Sequence, residues 1–181
     1  MAASDATDME QDHWPAQIHR TFIDHGLRQI AYVPDSGHKD LITLCRADNR
    51  LRAVSLTSEE EGIGLLSGAW LGGQSGALLM QSSGVGNCVN AIASITRACQ
   101  FPLLMLITMR GEWGEGNPWQ VPMGRAVEPV LEALGVQLAR VEKPEDVPGA
   151  VSAMASLAFK STVPAAVILS QRLIGAKSFQ D

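Results

Sequence analysis

Six short, almost uninterrupted apolar runs recur along the 181-residue chain, at positions 29–33, 51–56, 77–81, 103–109, 136–141 and 165–170. Between them lie segments whose apolar residues fall at helical spacing: 13–27, with Ile18, Phe22, Ile23 and Leu27, then 37–47, 58–72, 86–99, 125–134 and 144–160. Continuous apolar runs suit strands covered on both faces, and parallel strands need crossovers long enough to hold a helix. Right-handed crossovers place those helices over both sides of the sheet. The expected fold class is therefore α/β: a doubly wound, six-stranded, mostly parallel sheet with helices on both faces. The one long irregular segment is 110–124.

Charge narrows the partners. Asp5, Asp8, Glu10 and Asp12 put most of the net charge of -5 into the first twelve residues, which lack apolar periodicity and read as a disordered acidic tail. Residues 13–181 then form one nearly neutral domain. With no basic stripe and only 5% aromatic residues, nucleic acid is not expected as a partner. No apolar run approaches the roughly 20 residues of a membrane-spanning helix. Cys45, Cys88 and Cys99 form no CxxC pair and follow no apolar leader, which leads to an expectation of reduced thiols in the cytoplasm. The four histidines are not spaced for a shared metal, and no metal site is expected within the chain.

In a doubly wound sheet, ligands gather beyond the carboxyl ends of the strands. Four strand-end turns carry the candidate chemistry. The second leads into Ser58 and three successive acids, Glu59, Glu60 and Glu61. One reading makes Ser58 a helix cap and sets the acids against the helix dipole, worth about 0.3–1 kcal/mol per charge. The other notes that Glu59 shares a helical stripe with Ile63, Leu66 and Trp70, whereas Glu60 and Glu61 are rotated by about 100° and 200°. Burial disfavours the charged form of a carboxylic acid, so an acid on an apolar stripe is suited to sharing a proton. The third turn, Ser82-Ser83-Gly84-Val85-Gly86-Asn87, opens a helix with two glycines but lacks the remainder of a dinucleotide fingerprint. The first turn offers Asp35 and Ser36, as ligand groups or as a simple cap. The fourth offers Arg110, directly after a buried strand, and Arg125, expected to open the next helix. The pair could clamp an anion or belong to an ordinary surface loop.

Taken in order, VPDS, SEEEGIGLLSGAW, LLMQSSGVGN, RGEWGEG and QVPMGR resemble the pyrimidine-binding half of thiamine diphosphate-dependent decarboxylases, in particular sulfopyruvate decarboxylase alpha subunits and phosphonopyruvate decarboxylases. The resemblance implies that Glu59 is the acid that hydrogen-bonds N1′ of the cofactor's aminopyrimidine, so that the thiazolium can be activated to attack a keto carbon. It implies that Ser83, Gly84, Val85, Gly86 and Asn87 contact the pyrimidine end. It places Asp35, Ser36, Arg110, Gln120 and Arg125 on the substrate side. It further implies a 2-oxo acid substrate, sulfopyruvate giving sulfoacetaldehyde and CO2, or phosphonopyruvate. Such enzymes hold the diphosphate and Mg²⁺ through a GDG motif, and the chain contains none. A separate beta subunit carrying GDG is therefore implied, together with self-association of pyrimidine-binding domains in a hetero-oligomer. Trp113 and Trp119 depart from the family pattern and are expected to reshape the substrate pocket. A non-catalytic binding module on the same fold is the alternative.

Overall fold

The central strands are apolar at nearly every position, and the chain solves their burial by covering both faces of one sheet. A computed structural model describes residues 13–176; the acidic tail at 1–12 lies outside the described residues. The order is α1 (Trp14–Asp24), β1 (Gln29–Tyr32), α2 (Lys39–Ala47), β2 (Arg52–Ser55), α3 (Glu59–Leu71), β3 (Gly76–Gln81) and α4 (Gly84–Ala91), followed by β4 (Leu103–Thr108), α5 (Gln120–Ala133), β5 (Gln137–Val141), α6 (Val147–Ser161), β6 (Pro164–Leu169) and a single turn α7 (Gln171–Ile174). All strand pairs are parallel, in the spatial order β2-β1-β3-β4-β6-β5. Strands β4 and β6 are buried along their whole length, whereas the edge strands β2 and β5 are mostly half-buried or exposed. The expected α/β fold is therefore the observed one.

Two cores flank the sheet. On one face Ile18 and Phe22 of α1, Leu41 and Cys45 of α2, and Val151 and Ala155 of α6 pack against Leu79, Leu106 and Val167. On the other, Ile63 and Leu66 of α3, Val85 and Cys88 of α4, and Val127 and Leu131 of α5 meet Leu78, Met105 and Ile168. Alternate residues of a strand point to opposite faces, which is how a continuous apolar run feeds both cores.

Two local differences from the sequence reading matter. The helix expected from 86 begins two residues earlier, at Gly84, and passes into a π-helical stretch, Ile92–Arg97. Helix α5 begins at Gln120 rather than at Arg125, because Asn117 and Pro118 already turn the chain: the Gln120 and Val121 amides donate to their carbonyls at 3.0 and 3.2 Å. Arg125 therefore sits in the second turn. The chain also adopts left-handed backbone at Gly26, Gly73, Gln100, Gly135 and Thr162, each shortly ahead of a strand.

From β1 the chain moves outward to β2 and returns past β1 to β3. Beside such a reversal, next to the loops leaving β1 and β3, is the usual seat of a ligand in sheets of this kind.

Candidate active site

Glu59 is the first residue of α3, and its side chain turns inward. It is 8% exposed and shares its helical face with Ile63 and Leu66, while Glu60 and Glu61 face solvent. Ser58 is the capping residue by position, yet its side chain makes no cap; the Glu61 carboxylate instead accepts the Thr57 amide at 2.9 Å. Glu59 is thereby spared the capping task. Its Oε2 accepts a hydrogen bond from Asn87 Nδ2 at 2.8 Å, and its Oε1 receives none from any described residue.

The glycine opening α4 makes this corner possible. A Cβ on Gly84 would lie 2.5 Å from Glu59 Cδ and Oε1, an overlap with the carboxylate itself. Gly84 and Asn87 thus touch the acid directly. Val85 is fully buried in the core beneath, and Ser83 and Gly86 are exposed on the rim. Burial, with the negative charges of Glu59 and Glu60, pushes the Cys88 thiol up to about 12, so it stays protonated and non-nucleophilic at neutral pH.

A second feature lies beyond β1 and β4. A cleft of about 230 Å³ is lined by Asp35, Ser36, Gly37, Thr108 and Arg110, and by the segment 174–176 after α7. Asp35 Oδ2 accepts from Thr108 Oγ1 at 2.7 Å and from the Gly37 amide at 3.0 Å. Beneath, His38 is fully buried with Nε2 3.0 Å from the Leu106 carbonyl oxygen; burial lowers its pKa against the opposing pull of Asp35, so the ring is neutral.

The loop after β4 is not an ordinary surface loop. Arg110 and Glu115 form a two-pronged ion pair, Nε to Oε2 at 2.7 Å and Nη2 to Oε1 at 2.6 Å. Glu115 also accepts the amides of Gly111 and Asn117 and the Gln171 side chain. The Arg110 bonds, foremost, hold its carboxyl well below the usual carboxylate range despite burial. Gln171 exchanges two further bonds with Glu112, which pairs in turn with Arg140. Gly124 lets α5 close on this loop: a Cβ there would sit 2.3 Å from the Arg110 carbonyl oxygen.

Asp35, Ser36 and Arg110 therefore share one cleft. Gln120 is half-buried with its carbonyl against Gly111, and Arg125 is exposed, without an ion pair to any described residue and not among the residues lining the cleft, so the structure does not bring the two arginines together there. Trp113 and Trp119 do not line the cleft either; both are exposed, with Arg172 lying 5.5 Å over the Trp113 ring. Sequence reasoning missed Thr108, Glu115 and Gln171. The signal for Thr108 was a single polar residue ending an apolar strand, and for Glu115 the second acid of RGEWGEG.

No family model matches the chain. A curated relative, the sulfopyruvate decarboxylase subunit alpha of Methanocaldococcus jannaschii, is 34% identical over 151 residues, covering 83% of this chain and 89% of the relative. A phosphonopyruvate decarboxylase of Streptomyces viridochromogenes is 34% identical over 108 residues, covering 59% of this chain and 27% of that protein. Among solved structures, the 2-oxoglutarate:ferredoxin oxidoreductase from Magnetococcus marinus superposes with a TM-score of 0.74 over 90% of this chain and 29% of that one, at 17% identity, which speaks to the fold alone. With the fold shared and a relative matched over most of both lengths, the chain belongs to the family of sulfopyruvate decarboxylase alpha subunits.

Proposed function

We propose that this chain is the pyrimidine-binding, catalytic subunit of a thiamine diphosphate-dependent decarboxylase that converts 3-sulfopyruvate to sulfoacetaldehyde and CO2. The observation that carries the reading is the Glu59 corner: a buried carboxylate with one oxygen held by Asn87 and the other unengaged, kept in place by a glycine that leaves room for nothing larger. Those residues suit an aminopyrimidine, a flat heterocycle whose ring nitrogen needs one strong hydrogen-bond partner in a dry setting. Bound there, thiamine diphosphate would supply the electron sink that accepts the pair left when a carboxylate departs as CO2.

The chain's own work is placement. Glu59 would present Oε1 to the ring nitrogen, Asn87 holds Oε2, and the exposed rim residues Ser83 and Gly86 border the corner. Asp35, Ser36 and Arg110 take the substrate side, with the Arg110 guanidinium suited to a tetrahedral anion. The phosphonopyruvate relative makes that substrate the second candidate.

A beta subunit bearing a GDG motif completes the site and holds Mg²⁺. In support, relatives of this length are named as alpha subunits. Pyrimidine-binding domains would also pair with each other in a hetero-oligomer. No described helix is long and apolar enough to cross a membrane, and the described cysteines form no disulfide, in keeping with a cytoplasmic enzyme.

The test is CO2 release by the mixed subunits with 3-sulfopyruvate or phosphonopyruvate, for the unaltered chain and for Glu59→Gln. A drop of at least about 100-fold is expected, the scale of a lost proton-handling group. Equal rates would remove Glu59 from the mechanism, and a stable complex that takes up no thiamine diphosphate would favour a non-catalytic module.

A further inference from the structure

The cleft beyond β1 and β4 holds two opposite charges that have every electrostatic reason to close on each other. Asp35 and Arg110 both line it, and the Asp35 charge is felt at the Arg110 guanidinium. A direct pair between them would fill the cleft and cancel the charge on which anion recognition depends. The structure shows each group held back by its other edge instead. Asp35 gives Oδ2 to Thr108 and to the Gly37 amide, leaving Oδ1 without a bond among the described residues. Arg110 gives Nε and Nη2 to Glu115, leaving Nη1 without one.

Glu115 is built not to move. Its side chain is 2% exposed and that of Arg110 8%. Beyond the two guanidinium bonds it accepts the Gly111 amide at 3.0 Å, the Asn117 amide at 2.9 Å and Gln171 Nε2 at 3.0 Å. A carboxylate has roughly four acceptor directions, and donors from three parts of the chain occupy them. A two-pronged arginine–carboxylate pair fixes the plane of the guanidinium as well as its position.

We propose that Glu115 is a positioning residue that holds the cleft open: it keeps Arg110 off Asp35 and turns its Nη1 edge toward the sulfonate or phosphonate head group of the substrate. This rests on the substrate assignment above. Buried as it is, the pair is not kept for stability alone, since an apolar pair of similar volume would serve as well or better.

The experiment titrates the assembled subunits calorimetrically with 3-sulfopropanoate, a non-reacting analogue, and with propanoate, which lacks the sulfonate. Glu115→Gln removes the opposing charge and frees Arg110 to fall onto Asp35. Its expected effect is about tenfold weaker 3-sulfopropanoate binding with propanoate unchanged, the size of one lost charge-assisted contact. Adding Asp35→Asn removes the attractor, and the double variant is expected to bind 3-sulfopropanoate within about threefold of Asp35→Asn alone. Glu112→Gln, which loosens the same loop without touching Arg110, is expected to change neither affinity by more than about twofold.

A failure of Asp35→Asn to rescue, an equal loss for both analogues, or the same loss in Glu112→Gln would each overturn the proposal and reduce Glu115 to a loop anchor. Should Glu115→Gln not fold, Glu115→Asp, which keeps the charge but breaks the fork, takes its place both alone and combined with Asp35→Asn, with the same outcomes expected and the same ones overturning the proposal. Turnover is measured in parallel. A complex that binds the sulfonate through Arg110 yet releases no CO2 from sulfopyruvate refutes the decarboxylase reading while leaving the role of Glu115 decided.

Discussion

Two carboxylates on the same rim of the sheet are treated in opposite ways. Glu115 takes donors from Arg110, Gly111, Asn117 and Gln171 and is spent entirely on holding shape. Glu59, also buried, takes one from Asn87 and has an oxygen to spare. Inside a protein an under-partnered polar group is costly, and it persists where something else is meant to arrive. The saturated acid thus marks scaffold, and the unsaturated one is where the proposed function seats its cofactor, although sequence composition alone puts them on equal footing.

The largest test of that contrast is Gly84→Ala. Its methyl group would overlap the Glu59 carboxylate, and activity of the assembled enzyme should fall about as far as with Glu59→Gln, while the overpacking costs about 1–3 kcal/mol in a denaturant melt. Retained activity would mean that the carboxylate is not held where it acts. Next in size, Gly124→Ala pushes on the Arg110 carbonyl and on Gly111, so the midpoint of unfolding should drop and KM should rise more than kcat falls. A change in kcat alone would disconnect this loop from substrate binding.

A smaller effect is expected in acid. The Glu115 carboxyl lies below its ordinary value of 4.5, so the folded chain draws stability from it at neutral pH and loses that contribution as pH falls below about 4.5. The melting temperature of Glu115→Gln should therefore trail the unaltered chain at pH 7 by a gap that begins to narrow below about pH 4.5 and is still open at pH 3. A gap that stays constant would show that the charge contributes nothing to the fold. Smallest of all, Arg125→Ala should change KM by less than about twofold, as befits an exposed arginine that forms no ion pair with any described residue. A tenfold rise would place Arg125 in a substrate contact that forms only in the assembly.

Much of this architecture is legible in the sequence. Each strand came from an apolar run, because a sheet covered on both faces tolerates little else. Glu59 stood out from its two acidic neighbours by helical phase alone, and the structure buries that one and exposes the others. The turn chemistry was harder to read. Asp35 and Thr108 are bonded across 73 positions, a meeting created by the carboxyl ends of two parallel strands and invisible to local spacing. Glu115 lies in a stretch rich in glycine, tryptophan and proline with no period to follow, so its pairing five residues back carried no signal. The π-helical stretch Ile92–Arg97 and the four-residue α7 likewise depend on packing rather than on pattern.

The left-handed turns ahead of the strands have a practical corollary. Because every strand runs the same way, the Glu59 corner and the Arg110 cleft lie at one end of the sheet, and Gly26, Gly73, Gln100, Gly135 and Thr162 lie at the other. Those five bends are the natural places to splice in a fluorescent label, an affinity tag or a new chain opening. Engineering can proceed there without disturbing the end that carries Glu59 and Arg110.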